Sequence, residues 1–248
     1  MVDIQRAVLT KDTELIAEAY ESLGKELNRG CSDCLRDAWH DLRYHLKNLE
    51  EPKAEINLFT MVYAAHTKDR QKELDECIER NEANEFIDRF IKIKSMATYD
   101  QIFQLTRQFP NDINIIANSD IWFDDSIERF RELKRLEVYA LSRYDIEEGK
   151  AKLFYRADSQ DVWAFRGAMW GVSAPYSQGR PGCDNNIAWR FKEAGFKVLN
   201  PAKSIYTYHI HKSNHRSSVN THWNKVQSPY LLIEPTYLGE VPKYEIRR

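Results

Sequence analysis

Several polar clusters in this sequence have the types and spacing to do chemistry. In the first, Ile113-Asn114-Ile115-Ile116-Ala117-Asn118-Ser119-Asp120, a short β-branched apolar run ends in a turn closed by a carboxylate. Such a run predicts a buried strand with Asp120 at its carboxyl end, the edge of an open α/β sheet at which ligands bind. A carboxylate there can hold a divalent cation against a phosphate, because Mg²⁺ is bound by one or two carboxylates plus phosphate oxygens. Asp124 and Asp125, just before Ser126, read instead as caps of the next helix. In Gly182-Cys183-Asp184-Asn185-Asn186, a carboxylate sits at a helix start. It can cap that helix, or it can take a proton from an attacking hydroxyl.

Tyr208-His209-Ile210-His211-Lys212-Ser213-Asn214-His215-Arg216 packs three histidines beside two cations. On a strand His209 and His211 share a face, which suits a metal ligand or phosphate contacts. Asp158-Ser159-Gln160-Asp161-Val162-Trp163 places acids and an amide ahead of a strand; it is either a turn or a set of acceptors for sugar hydroxyls. Cys31-x-x-Cys34 with His40 and His45 invites a zinc reading, but the spacing departs from finger patterns, which separate the pairs by about a dozen residues. At the start of a helix capped by Ser32, the two cysteines are explained by packing or capping.

The elements that must position these groups fall into three stretches. Residues 1–50 predict a helical hairpin. Ile16, Tyr20, Leu23 and Leu27 form one apolar face, and Leu35, Trp39, Leu42, Leu46 and Leu49 the other. Residues 54–225 alternate strands and helices: a strand Ile56–Tyr63, a helix Lys68–Asn81, a strand Phe86–Ile93, a helix Tyr99–Gln108 and a strand Ile113–Ala117. A helix Ser126–Leu136, a strand Val138–Ser142, short strands Lys152–Tyr155 and Val162–Arg166, a helix Asn185–Gly195 and a strand Ile205–His211 follow. That order argues for an α/β domain with a largely parallel sheet flanked by helices. Residues 226–248, with Pro229, Pro235 and Pro242, read as a surface tail.

Composition bounds the function. The 248 residues are 42% hydrophobic and 30% charged with formal net charge −2, an ordinary globular balance without a global attraction to nucleic acid or anionic membrane. No apolar run approaches the roughly 18 residues a membrane span needs, and the N-terminus lacks the apolar core of a secretory signal. The expectation is a cytoplasmic protein whose cysteines are reduced.

The ordered set resembles the nucleotide-sugar glycosyltransferases of the A-type fold, nearest to family 2-like members. It runs from the first strand through Arg70-x-x-x-Leu74-x-x-Cys77-Ile78, a third strand ending in Asn118-Ser119-Asp120 and the later Asp184, to the histidine strand. The match covers roughly residues 54–216 and leaves the N-terminal hairpin outside it. The resemblance implies a Rossmann-type mixed sheet and transfer of a sugar from a nucleotide diphosphate to an acceptor hydroxyl, with Mn²⁺ or Mg²⁺ as cofactor. Asn118-Ser119-Asp120 falls where that family has its Asp-x-Asp motif, so Asp120 binds the metal and Asn118 replaces the first acid. Asp184 falls at the position of the catalytic base of inverting members. His209 or His211 falls at a late metal or diphosphate ligand, and Thr67 and Arg70 at the nucleotide. Lys212 and Arg216 add to the diphosphate clamp, and Asp161 contributes to the donor site. Lys94-Ser95 stands where the family often has an acid for the base.

The acceptor on this reading is a glycan, a small molecule or a modified nucleic acid. Two rivals stand beside it. One is a sugar- or nucleotide-binding module without turnover, favoured by the missing first acid. The other is a transferase acting on nucleic acid docked by Lys25, Arg29, Arg36, Arg43 and Lys47, although Asp33, Asp37 and Asp41 alternate with these cations as on a solvated face.

Overall fold

The computed structural model describes Ala19, Ser22, Leu23 and residues 53–147, 149–210 and 225–248. Of the expected hairpin only those first three residues are described, and Ala19 and Leu23 are buried against the core. Cys31, Cys34, His40 and His45 lie outside the described residues.

A six-stranded sheet forms the centre, in the order β2-β1-β3-β8-β5-β9. Its strands are β1 (Ile56–Met61), β2 (Arg89–Ile93), β3 (Ile113–Ala117), β5 (Glu137–Leu141), β8 (Val162–Arg166) and β9 (Lys197–Leu199). The pairs β1–β2, β1–β3 and β5–β9 are parallel; β8 runs antiparallel to both its neighbours. The sheet is therefore mixed and largely parallel, as expected. A second sheet has the order β4-β10-β6-β7, from β4 (Ile121–Phe123), β6 (Tyr144–Glu147), β7 (Lys150–Leu153) and β10 (Thr207–His209).

β1, β3 and β8 are buried along their whole length, because helices cover both faces of the sheet. Side chains alternate between two cores. Phe59, Ile116, Trp163 and Phe165 pack with Ile102 and Phe103 of α2 (Tyr99–Thr106) and Ile187 and Phe191 of α3 (Cys183–Glu193). Leu58, Ile115, Val162 and Ala164 pack on the other side with Ile127 and Phe130. α1 (Lys68–Glu82) buries Leu74 and Cys77, and Asn81 at its end fastens it to β4, donating to Ile121 O (2.9 Å) and accepting from Phe123 N (3.1 Å).

Several elements differ from expectation, and β4, β6 and β9 have no counterpart in the sequence reading. The stretch expected as a helix over Ser126–Leu136 is a 3₁₀ helix, Asp125–Glu132, capped by Asp124. Its apolar residues Ile127, Phe130 and Leu133 recur every third position, and three residues per turn line them up on one side. The second strand begins at Arg89 rather than Phe86, because Asn84 turns the chain by accepting from Phe86 N (3.0 Å). The last predicted strand is trimmed to Thr207–His209. The expected surface tail instead forms a hairpin, β11 (Tyr230–Ile233) with β12 (Tyr244–Arg247), and Leu231 and Ile233 enter the core. Among the described residues, no helix is long and apolar enough to cross a membrane.

Candidate functional site

Sheet register brings the singled-out residues together. Asn118, Ser119 and Asp120 turn directly off β3 into β4. β4 pairs antiparallel with β10 so that His209 stands opposite Ile121, and Ile210 N donates to Asp120 O (3.1 Å). β10 in turn pairs parallel with β6, placing His209 opposite Asp145. The imidazole therefore lies between two carboxylates, Nδ1 2.8 Å from Asp145 Oδ1 and Nε2 3.2 Å from Asp120 Oδ2. Burial disfavours its charged form, but the Asp120 hydrogen bond and charge outweigh that and raise its pKa.

The same pairing logic supplies Asp161. Val162 is registered on Ala117, and Asn118 bonds Asp161 through both its backbone N (3.0 Å) and its side-chain Nδ2 (2.8 Å). Arg143, in the joint between β5 and β6, donates to Asp145 (2.8 Å) and Asp161 (3.0 Å). Arg70 donates to Asp120, to Glu73 (2.9 Å) and to Ile210 O (3.0 Å). Charges thus alternate along a continuous path from Glu73 through Arg70, Asp120, His209, Asp145 and Arg143 to Asp161.

These groups flank a cavity of about 800 Å³ whose wall includes Asn118, Asp145, Asp161, Asp184 and His209. Asp184 arrives from another direction. α3 starts after Gly182, whose φ of +77° suits glycine and whose missing Cβ leaves room for Val226 O at 2.8 Å. The cap is Gly182 rather than Asp184. Asp184 lies one residue inside the helix, and its carboxyl is pushed up to about 7, first by burial and then by the negative charge of Asp161, against backbone N–H donation that lowers it. An acid with that pKa on a cavity wall is suited to proton transfer near neutral pH.

The remaining predicted residues take other positions. Thr67 caps α1, accepting from Arg70 N (3.3 Å). Arg70 is buried within the ion-pair path and is not part of the cavity wall. Asp120 is not part of the cavity wall, and its carboxylate bonds His209, which is. His211, Lys212 and Arg216 lie outside the described residues. The sequence reading missed Arg143 and Asp145, whose signal was Arg-x-Asp immediately after the apolar β5 run, at a strand end. It also missed Arg156 and Arg180 on the cavity wall; Arg156 forms a two-pronged pair with Asp158 (2.8 and 2.7 Å).

Asp120 Oδ2 and His209 Nε2 are spaced as two neighbouring ligands of one ion would be, since metal bonds of about 2.1 Å at right angles put donors about 3 Å apart. Asp145 on the other ring nitrogen is the kind of carboxylate partner that orients a ligating histidine. Among the described residues, no group of three or more His, Cys, Asp or Glu side chains is gathered around a common metal position. Those two atoms are hydrogen-bonded to each other, and Asp120 Oδ2 also accepts from Arg70. No family model matches this chain, and no curated protein is significantly similar to it.

Proposed function

We propose that this protein is a glycosyltransferase of the A-type fold, moving a sugar from a nucleotide-diphosphate donor to an acceptor hydroxyl with inversion. The observation that carries this reading is Asp184. Its carboxyl is held near pKa 7 on the wall of a cavity that also receives Asn118, Asp161 and His209. A carboxylate so tuned accepts the proton of a hydroxyl as that oxygen attacks the anomeric carbon, and it shares the cavity wall with Asp158, Gln160 and Asp161, which on this reading would receive sugar hydroxyls.

The other groups hold the donor. Asp120 and His209 would carry a Mn²⁺ or Mg²⁺ ion, which supplies Lewis-acid neutralisation of the leaving diphosphate. Asp145 keeps the His209 ring oriented, and Arg70 keeps the Asp120 carboxylate in place. Asn118, where the family motif has an acid, is tied to Asp161 and contributes no charge. That one observation favours the rival reading, a sugar- or nucleotide-binding module without turnover. Lys212 and Arg216 are assigned to the diphosphate on sequence alone.

The test is a panel of nucleotide-sugars incubated with the full chain, with Mn²⁺, with Mg²⁺ and with chelator. Thermal shift reports binding, and release of nucleoside diphosphate reports transfer or hydrolysis. Metal-dependent release with at least one donor is expected. Binding without release selects the module, and neither binding nor release overturns the proposal.

A further inference from the structure

The C-terminal hairpin carries a feature that the cavity does not use. All four residues of β12, Tyr244-Glu245-Ile246-Arg247, are exposed, and among the described residues only β11 pairs with them. Glu234 N donates to Lys243 O across the hairpin (3.2 Å). Bonded and non-bonded pairs alternate along an antiparallel ladder, so Glu245 and Arg247 direct their backbone groups at β11. Tyr244 and Ile246 therefore present their N–H and C=O groups outward as an open edge.

The geometry points to a second copy of this chain as the occupant of that edge, paired antiparallel about a two-fold axis through Ile246. In that register Ile246 of each copy exchanges both backbone hydrogen bonds with Ile246 of the other. Glu245 then lies opposite Arg247 of the second copy, and Arg247 opposite its Glu245. These are non-hydrogen-bonded positions, where facing side chains come closest. Both charge pairs are attractive, and a two-fold contact of this kind closes on itself.

Another terminal strand makes the contrast. β7, at the end of the four-stranded sheet, has the sequence Lys150-Ala151-Lys152-Leu153. The same operation about Ala151 sets Lys150 against Lys152, like charge on like charge, the usual guard against edge pairing. β12 carries no such guard against its own copy. Its four residues fall short of the roughly 1,200 Å² that a stable complex buries, so the association is concentration-dependent.

Light scattering and sedimentation of the full chain, up to concentrations on the order of 100 μM, test this. The wild type is expected to shift from monomer to dimer, and Glu245→Arg or Arg247→Glu alone to weaken the dimer by about tenfold or more. Mixing the two variants should produce a heterodimer stronger than either homodimer, because all facing pairs become opposite in sign again. That recovery cannot come from a damaged hairpin. A wild type that stays monomeric, single variants that dimerise like the wild type, or a mixture without recovery each overturns the inference, whatever the donor screen finds.

Discussion

Asp184 shows how one residue's surroundings set its chemistry. Its carboxyl binds a proton more tightly in the folded chain than in the unfolded one, since its pKa rises from 3.8 to about 7. The stabilisation from that proton is present below the unfolded value and is lost as pH rises through about 7. Asp184→Asn, uncharged at every pH, should therefore melt higher than the wild type at pH 8 and no higher at pH 4. Each kcal/mol of relief is worth about 2–4 °C in a chain of this size. On the proposed mechanism the same substitution costs about a thousandfold in turnover, about 4 kcal/mol of barrier, and removes an activity limb centred near pH 7 while donor binding persists. Scanning calorimetry at the two pH values and a pH–rate profile check both arms. A variant with near-normal turnover removes Asp184 as the base. Asn118 and Asp120 were legible in the sequence as polar residues at the end of an apolar run, Asp184 as a carboxylate at a helix start, Asp161 as an acid ahead of a strand, and His209 as a member of a histidine cluster. Arg143 and Asp145 were not, because their role exists only once β6 lies beside β10, 64 positions apart for the Asp145–His209 bond.

At the scale of elements, the buried apolar strands and the capped helices announce themselves, and β4, β6 and β9 do not. β1, β3 and β8 are apolar runs, and α2 carries a capping box formed by Thr98 and Gln101. β4 and β9 span three residues each and β6 four, too few for a pattern, and owe their shape to neighbours already in place. Asn81 is such a neighbour for β4. It is 1% exposed and satisfies both the carbonyl of Ile121 and the N–H of Phe123. Asn81→Ala strands a buried donor and a buried acceptor, each costing about 1–3 kcal/mol. The expected loss is about 2–4 kcal/mol in urea unfolding, with the Asp120 turn loosened because it leads directly into β4. A loss below 0.5 kcal/mol would mean that water replaces the amide and that β4 is held from the β10 side alone.

Across the whole molecule, two sheets meet at the cavity, and Arg143 joins them. It stands in the short joint where the chain leaves β5 of the six-stranded sheet for β6 of the four-stranded one. Its guanidinium reaches Asp145 in the small sheet and Asp161 at the threshold of β8 in the large one. Its own charge is held firmly. Burial works against it, but Asp161 and Asp145 raise its pKa beyond any ordinary titration. Asp145 is held below its usual value by the Arg143 and His209 hydrogen bonds, which overcome its burial. Arg143→Met leaves the Asp145 and Asp161 carboxylates without the cation they share, a defect that costs about 3–5 kcal/mol when a buried pair is broken from one side. The sign of its pH dependence follows from Asp145. A depressed carboxylate contributes stability above its unfolded pKa and loses it as pH falls through the folded value. The wild type should therefore lose more stability than Arg143→Met on going from pH 7 to pH 4, and the gap between them should narrow. Arg143→Lys, which keeps the charge but cannot reach both acids with a planar fork, should fall between the two. Urea unfolding of the three proteins at both pH values gives the answer. A gap of equal size at pH 7 and pH 4 would show that Arg143 acts by packing on Phe154, whose ring lies 4.4 Å from the guanidinium, and not by joining charges across the two sheets.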